Sequence, residues 1–380
     1  MIGRRYLAAL ALGFLLWCGL YLAFTGIIDP YGVSPLRVSW SRVNQFKPKR
    51  LDIDRLLKPF EVWRYQPRTV FLGTSRIHQS VDPAVLDGTR YAPAYNASIP
   101  ASSLGLNVSH LRQYVGFDPQ LRTVVMELFL YNFLGQAQER SPASLAEFMR
   151  NTGTLFFSGD ALWASIQTLG YNLLRNAPHQ AIGPGGNFNY PPGHNAKGPF
   201  GGYPAGIWKL HATRTEGMEL HEPAFDAIRE FSQICREQGV ELVYVLTPNH
   251  AYDDYYLESV GAWRMVENWL RRVSAEATVY SFSQPNDWVY EPVTSSMRYW
   301  YDPYHFSAEM GRAMQLALTG AKVDDAPQNF MLRMTPDKAA SHVASRREAI
   351  RRWAIRNPDF VAAFQKEKSK WESARTAAGK

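Results

Sequence analysis

Residues Tyr6 to Ile28 form 23 consecutive positions without a single charge. As a helix this run is about 35 Å long, enough to cross a bilayer with some tilt. Arg4 and Arg5 precede it and Asp29 comes directly after it. That asymmetry places the N-terminus on the cytoplasmic side and everything after residue 30 outside. The run outlasts the roughly 7–15-residue apolar core of a cleaved leader, and Phe24-Thr25-Gly26-Ile27-Ile28 offers no clear small-x-small cleavage site. It is read as an uncleaved anchor, with a cleaved leader as the alternative. The expected location is the cytoplasmic (inner) membrane, single-pass, with the bulk of the chain periplasmic or extracellular.

Beyond the anchor, the chain has ample material for a core. Apolar residues make up 46% of the 380 and aromatics 13%, which excludes a disordered chain. Cys18 lies in the membrane run and Cys235 in an expected helix, so an internal bridge is implausible and the soluble part is read as disulfide-free. Between Ala321 and Lys380 thirteen Lys or Arg face seven Asp or Glu, so +6 of the net +7 belongs to the tail. The tail is helix-prone, with Arg346, Arg347, Arg351, Arg352 and Arg356 spread over three turns. Outside the cytosol nucleic acid is not an expected partner; anionic lipid head groups or an acidic polysaccharide suit such a surface better. No cofactor is expected. Metal chemistry lacks a constellation: there is no His-Glu-x-x-His and no cysteine pair, and His250 with Asp253 and Asp254 is weak.

Strand and helix signals alternate along the chain. Apolar, β-branched runs mark strands at Thr69–Leu72, Tyr91–Ala97, Leu121–Leu128, Val240–Leu246 and Thr278–Phe282. Helical spacing marks Ser102–Tyr114, Pro223–Gln238, Gly261–Ala275 and Ser307–Leu318. Such alternation implies an α/β domain with a parallel sheet and right-handed crossovers. The organisation reads as an anchor to residue 30, a juxtamembrane linker over 31–65, an α/β domain over 66–320, and a basic helical tail over 321–380. An insertion at about 131–221 interrupts the domain. Its first half has helical apolar spacing at Leu155, Phe156, Leu162, Ile166, Leu169 and Leu173. Its second half, Gly183 to His194, is rich in Gly, Pro, Asn and aromatics. That stretch is either a surface excursion or a lid whose rings stack on sugars.

Two short motifs carry chemistry. Gly73-Thr74-Ser75-Arg76 comes after the first strand, so a tight turn would project the Ser75 hydroxyl from the sheet edge. Asp302-Pro303-Tyr304-His305 precedes the last helix of the domain. His305 is placed to take the proton from that hydroxyl, and Asp302 to hold the imidazole tautomer. Doubly wound sheets bind ligands beyond the carboxyl ends of their strands, where Ser75, Asn96 and His250 all fall. The bland alternatives are a satisfied turn hydroxyl at Ser75 and a turn with a helix cap at Ser307.

These residues resemble the SGNH (GDSL-type) hydrolase pattern, through Gly73-Thr74-Ser75-Arg76, Asn96, and Asp302-x-x-His305. With the single anchor and Pro248-Asn249-His250-Ala251, the chain is most similar to the membrane-anchored, extracytoplasmic O-acetyltransferase-like branch, which includes alginate-acetylation and teichoic-acid D-alanylation components. The likeness spans roughly residues 65–130 and 222–320. It implies a flavodoxin-like three-layer sandwich, with Ser75 as nucleophile, His305 as base then acid, and Asp302 as its orienting group. It implies oxyanion or substrate contacts from Asn96, Ser98 in the loop to Ser102, and Asn132. Arg76 would meet an anionic substrate or pair with Asp82, and His250 would bind substrate or serve as a buried structural residue. The usual Gly-x-Asn-Asp after strand three is absent; this chain reads Glu127-Leu128-Phe129-Leu130-Tyr131-Asn132. The implied activity is acyl, in particular acetyl, transfer to an envelope or exported polysaccharide, with a membrane-bound O-acyltransferase as donor partner. An esterase with the same triad, or a non-catalytic envelope-assembly scaffold, are the alternatives.

Overall fold

A computed structural model describes residues 2–36, 38–134, 145–175, 179–190, 197–210 and 219–378. The chain divides into two compact units. One comprises residues 1–65, 143–184 and 188–191; the other comprises 66–142, 185–187 and 192–380.

The first unit is helical. Helix α1 (Ile2–Ile28) is long and apolar enough to cross a membrane. Helix α2 (Asp54–Tyr65) lies in the segment expected as a linker, and it buries Leu57, Phe60 and Val62. The insertion supplies α5 (Leu145–Thr154) and α6 (Gly159–Leu174), which respectively pack on α2 and α1. Tyr31, Val33, Leu57, Phe60, Leu155, Ala161 and Ala164 form this unit's core.

The second unit is a mixed α/β domain around a six-stranded sheet in the order β2-β1-β3-β4-β5-β6. The strands are β1 (Thr69–Leu72), β2 (Ala94–Asn96), β3 (Thr123–Leu128), β4 (Glu241–Leu246), β5 (Val279–Ser281) and β6 (Leu332–Met334). All pairings are parallel except β5 with β6. Every side chain of β1 and β3 is buried, as strands covered on both faces require. Strand β2 is shorter than its apolar run suggested, because Pro93 has no N–H to give a ladder and pairing starts at Ala94. Strand β6, which no apolar run announced, is three residues long and covers the β5 edge.

Helices lie on both faces. Helices α3 (Ser75–Ser80) and α11 (Ala308–Leu318) pack together, and their Ile77, Met310 and Met314 share a core with Phe71, Val125 and Val245. Helix α8 (Glu222–Glu237) packs on α4 (Leu104–Phe117). The Tyr244 hydroxyl of β4 reaches Ser232 Oγ of α8 at 3.0 Å, on the opposite face. Helices α7 (Lys197–Leu210), α9 (Ala251–Ser259) and α10 (Trp263–Glu276) complete the domain with two tail helices, α12 (Ala339–Arg356) and α13 (Pro358–Ala378). The basic tail is therefore folded. Arg346 forms a buried ion pair with Asp254, and Trp353, Phe360 and Phe364 pack on Tyr252 and Tyr255.

Of the Gly183–His194 stretch, residues from Pro191 lie outside the described residues. Before that, Gly185 O accepts the Asn96 amide at 2.8 Å. Gly186 has φ +85°, and a Cβ there would come 2.5 Å from Asn96 O. Only glycine fits this close approach, which fastens that part of the stretch to the β2 edge.

Candidate active site

The strand order reverses between β1 and β3, and the carboxyl ends of strands at such a reversal are where sheets of this kind bind ligands. Ser75 stands there after β1 as the first residue of α3. Thr74 caps this helix, its hydroxyl accepting the Arg76 amide at 3.4 Å. The preceding turn needs glycine for space. A Cβ on Gly73 would lie 2.8 Å from Glu127 Cβ and 2.9 Å from Ile77 Cγ1. Gly73 O accepts the Ile99 amide (3.1 Å) and the Ser102 hydroxyl (2.7 Å), tying the loop after β2 to the serine turn.

His305 arrives on a loop that fixes itself. Asp302 Oδ1 accepts the amides of Tyr304 (2.7 Å) and His305 (2.9 Å), and His305 O accepts the Tyr301 amide at 2.9 Å. Ser307 then caps α11, accepting the Met310 amide at 3.3 Å. Two contacts set this loop against α3. The Ser80 hydroxyl donates to Phe306 O, and Gly311 lies so close to α3 that a Cβ would be 1.8 Å from Ser80 O.

The outcome is a continuous chain of hydrogen bonds across 230 residues of sequence. Asp302 Oδ2 is 2.6 Å from His305 Nδ1, and His305 Nε2 is 2.8 Å from Ser75 Oγ. In the tautomer with the proton on Nδ1, the ring donates to Asp302 and accepts from Ser75. Burial raises the Asp302 carboxyl. The hydrogen bond and charge of His305, with the two amides, outweigh that and hold it below the usual carboxylate range. All three side chains are only partly buried, so the hydroxyl is within reach of solvent.

Glu127, which the motifs did not single out, holds the Ser75 turn from the end of β3. Its Oε2 accepts the Thr74 amide and the Thr74 hydroxyl, each at 2.8 Å. Its Oε1 accepts Thr247 Oγ1 at 2.8 Å. The available signal was a lone acid near the end of an otherwise uncharged strand.

The remaining candidates take up different places in the structure. Asn96 is fully buried and donates to Ile77 O (2.9 Å) and Val81 O (2.8 Å), while its Oδ1 accepts the Ser98 amide (3.1 Å). It closes the loop around α3 and offers nothing to an oxyanion. Ser98 is equally buried, its amide taken by Asn96 and its hydroxyl directed to Phe71 O. Arg76 does not pair with Asp82, which caps the turn at Ala84. It is buried instead, donating to Asn249 Oδ1 (3.1 Å) and Pro248 O, with Nε 3.6 Å from Glu127 Oε1 and the guanidinium over the Phe129 ring. His250 is the cap of α9: Nδ1 accepts the Tyr252 amide at 3.3 Å and Nε2 donates to Glu291 O at 3.0 Å. Burial holds its pKa down at about 4, so it is a neutral structural residue. Asn132 lies half-buried in the short turn Leu130–Phe133 after β3.

Behind Arg76 a buried acid closes the shell. Asp253 accepts Tyr131 OH (2.8 Å), Tyr203 OH (3.3 Å) and Asn249 Nδ2 (2.9 Å). Burial, then the neighbouring Asp254, pushes its pKa up to about 6. Among the described residues no group of acidic, histidine and cysteine side chains is arranged to hold a metal ion. Neither family models, nor curated proteins, nor solved structures match this chain.

Proposed function

We propose that this chain is a serine-dependent acyltransferase acting at the exterior of the membrane to which α1 anchors it. The observation that carries this reading is the Asp302–His305–Ser75 hydrogen-bonded chain at the carboxyl edge of β1. Ser75 Oγ attacks an acyl carbonyl while His305 Nε2 takes its proton; the leaving group departs with that proton as the acyl–serine ester forms. A sugar hydroxyl, deprotonated by His305, then attacks the ester and frees Ser75. The Ser75 amide, at the start of α3 where no intrahelical acceptor exists, is the first oxyanion donor.

The strand order 2-1-3-4-5 supports the flavodoxin-like, SGNH-type fold that the motifs resemble. The anchor favours transfer over hydrolysis, since an acceptor polymer passing the membrane is best served there. The acetyl donor outside the cytosol is then a membrane-bound O-acyltransferase, and the acceptor an envelope or exported glycan. A non-catalytic scaffold is the second reading. It is favoured by the commitment of Asn96 and Ser98 to the fold, which removes two expected oxyanion donors.

The test is intact-mass spectrometry of the full chain in detergent after exposure to p-nitrophenyl acetate. Acetyl addition or nitrophenol turnover that is lost in Ser75→Ala and His305→Ala supports the enzyme. Folded protein without adduct or turnover overturns it in favour of the scaffold.

A further inference from the structure

Helix α6 is amphipathic in the inverted sense. Its inward face carries Ala161, Ala164, Ser165, Thr168 and Asn172. Its outward face carries Trp163, 60% exposed, with Ile166, Leu173 and Leu174, the last 83% exposed. A helix on a water-facing surface shows the opposite pattern. Two of the three inward polar side chains, Ser165 and Asn172, are satisfied within the unit. Ser165 Oγ donates to Ala161 O at 2.8 Å, and Asn172 exchanges hydrogen bonds with the Phe46 backbone, both at 2.9 Å. No charge occurs between Asp160 and Arg175. Small residues on the packed face and large apolar ones outward are the arrangement of helices that contact lipid.

This outward face is continuous with the membrane helix. Tyr21 of α1 accepts the Ser158 amide at 3.0 Å and donates to Ser158 O, at the start of α6. The Tyr21 ring meets exposed Phe157 at 5.1 Å between centroids, and Trp17 at 5.6 Å. Length sets the depth. The exposed, uncharged residues 6–20 of α1 cover about 22 Å, so the outer part of a hydrocarbon core of about 30 Å is left to the residues from Tyr21 onward. Burial begins at Tyr21, so Tyr21, Phe157 and the start of α6 fall at the boundary where aromatic residues collect. The uncharged stretch of α6, residues 161–174, is about 21 Å long and too short to cross.

We propose that α6 is an interfacial helix whose Trp163–Ile166–Leu173–Leu174 face lies in the bilayer boundary beside the end of α1, giving the chain a second lipid contact. This rests on α1 crossing the membrane. The second contact would hold the first unit at a fixed depth, which a single flexible span cannot do.

The experiment uses the full chain in phosphatidylethanolamine–phosphatidylglycerol nanodiscs, in a Cys18→Ala, Cys235→Ala background. An environment-sensitive fluorophore is attached through Trp163→Cys, Ile166→Cys or Leu174→Cys, one at a time. Leu12→Cys in α1 and Gln233→Cys on α8 serve as lipid and water references. The expected result is emission as blue as at Leu12→Cys and loss of most intensity to nitroxide-labelled lipid, with aqueous iodide ineffective. Iodide quenching equal to that at Gln233→Cys overturns the proposal, because the face is then in water. Protection from both quenchers overturns it too, because protein then covers the face. If Leu12→Cys itself escapes lipid quenching, the membrane reading of α1 fails and the proposal falls with it, a result distinct from failure at α6 alone.

Discussion

Glu127 Oε2 accepts both the amide and the hydroxyl of Thr74, each at 2.8 Å, so a buried carboxylate on β3 grips the residue immediately before Ser75. The same carboxylate faces the Arg76 guanidinium immediately after Ser75. The serine is thereby flanked on both sides by residues held by one acid. Removing the acid leaves a buried arginine without its nearest counter-charge, and breaking such a pair costs about 3–5 kcal/mol. Glu127→Ala is therefore expected to fail to fold or to melt far below the wild type. Glu127→Gln loses the same charge and melts below the wild type, but by less than Glu127→Ala, because it keeps the shape and one acceptor oxygen. It should fold, yet lose roughly 10–100-fold in acetyl turnover through a loosened turn. Parallel measurement of melting temperature and nitrophenol release separates the two; full activity in folded Glu127→Gln would refute the positioning role.

Asp302 does two jobs with its two oxygens. Oδ1 shapes the loop through the Tyr304 and His305 amides, and Oδ2 holds the imidazole. Asparagine can keep the first job with its amide oxygen while its NH₂ presents a donor to Nδ1 and forces the wrong tautomer. Asp302→Asn should thus melt within a few degrees of wild type while turnover falls about 10³–10⁴-fold. A loss of only two- or threefold would mean that His305 is not acting as the base.

The contact between α3 and α11 sets the Ser75–His305 distance. Since a methyl on Gly311 would sit 1.8 Å from Ser80 O, Gly311→Ala must push the two helices apart. The expected cost is about 1–3 kcal/mol of stability, with a larger proportional loss of turnover as the 2.8 Å bond opens. Thermal melting and single-turnover acetylation measure each part. Turnover that falls no further than stability explains would show the helix contact to be a matter of packing alone.

How much of this the sequence disclosed depends on the range of the interactions. Strand β1 was legible to the residue, because the uncharged run Thr69-Val70-Phe71-Leu72 between Arg68 and Gly73, with two β-branched residues and an aromatic, admits little else. The two triad motifs were legible because each is local: a strand-to-helix turn, and an Asp three residues before a His. The roles of Glu127 and Arg76 were not, since a buried pair on different elements leaves no spacing to read. Asn96 was placed correctly at the end of β2 but given to the substrate, when its amide is consumed by Ile77 O and Val81 O. The apolar period in the insertion marked a helix truly. It could not tell that Ile166 and Leu173 point away from the protein, because periodicity names a face and not what covers it.

His250 gives a pH signature that belongs to the fold and not to the triad. Burial holds its ring at about 4, against about 6.5 in an unfolded chain. Above pH 6.5 it is neutral in both states and its contribution is complete. As pH falls from 6.5 towards 4 the unfolded chain takes up a proton that the folded one refuses, so stability is lost on the acid side. Asparagine can cap α9 without titrating, and its loss of the bond to Glu291 O is a cost that does not vary with pH. The advantage of wild type over His250→Asn at pH 7.5 should therefore shrink by about 2 kcal/mol at pH 4.5. Comparing the two chains cancels other titrating groups, among them Asp253, whose raised pKa runs the opposite way and removes stability as pH climbs from about 4 to 6. Urea unfolding of the detergent-solubilised pair at four or five pH values provides the measurement. A gap that stays constant with pH would mean His250 is free to charge inside the fold, and would reopen it as a residue facing substrate.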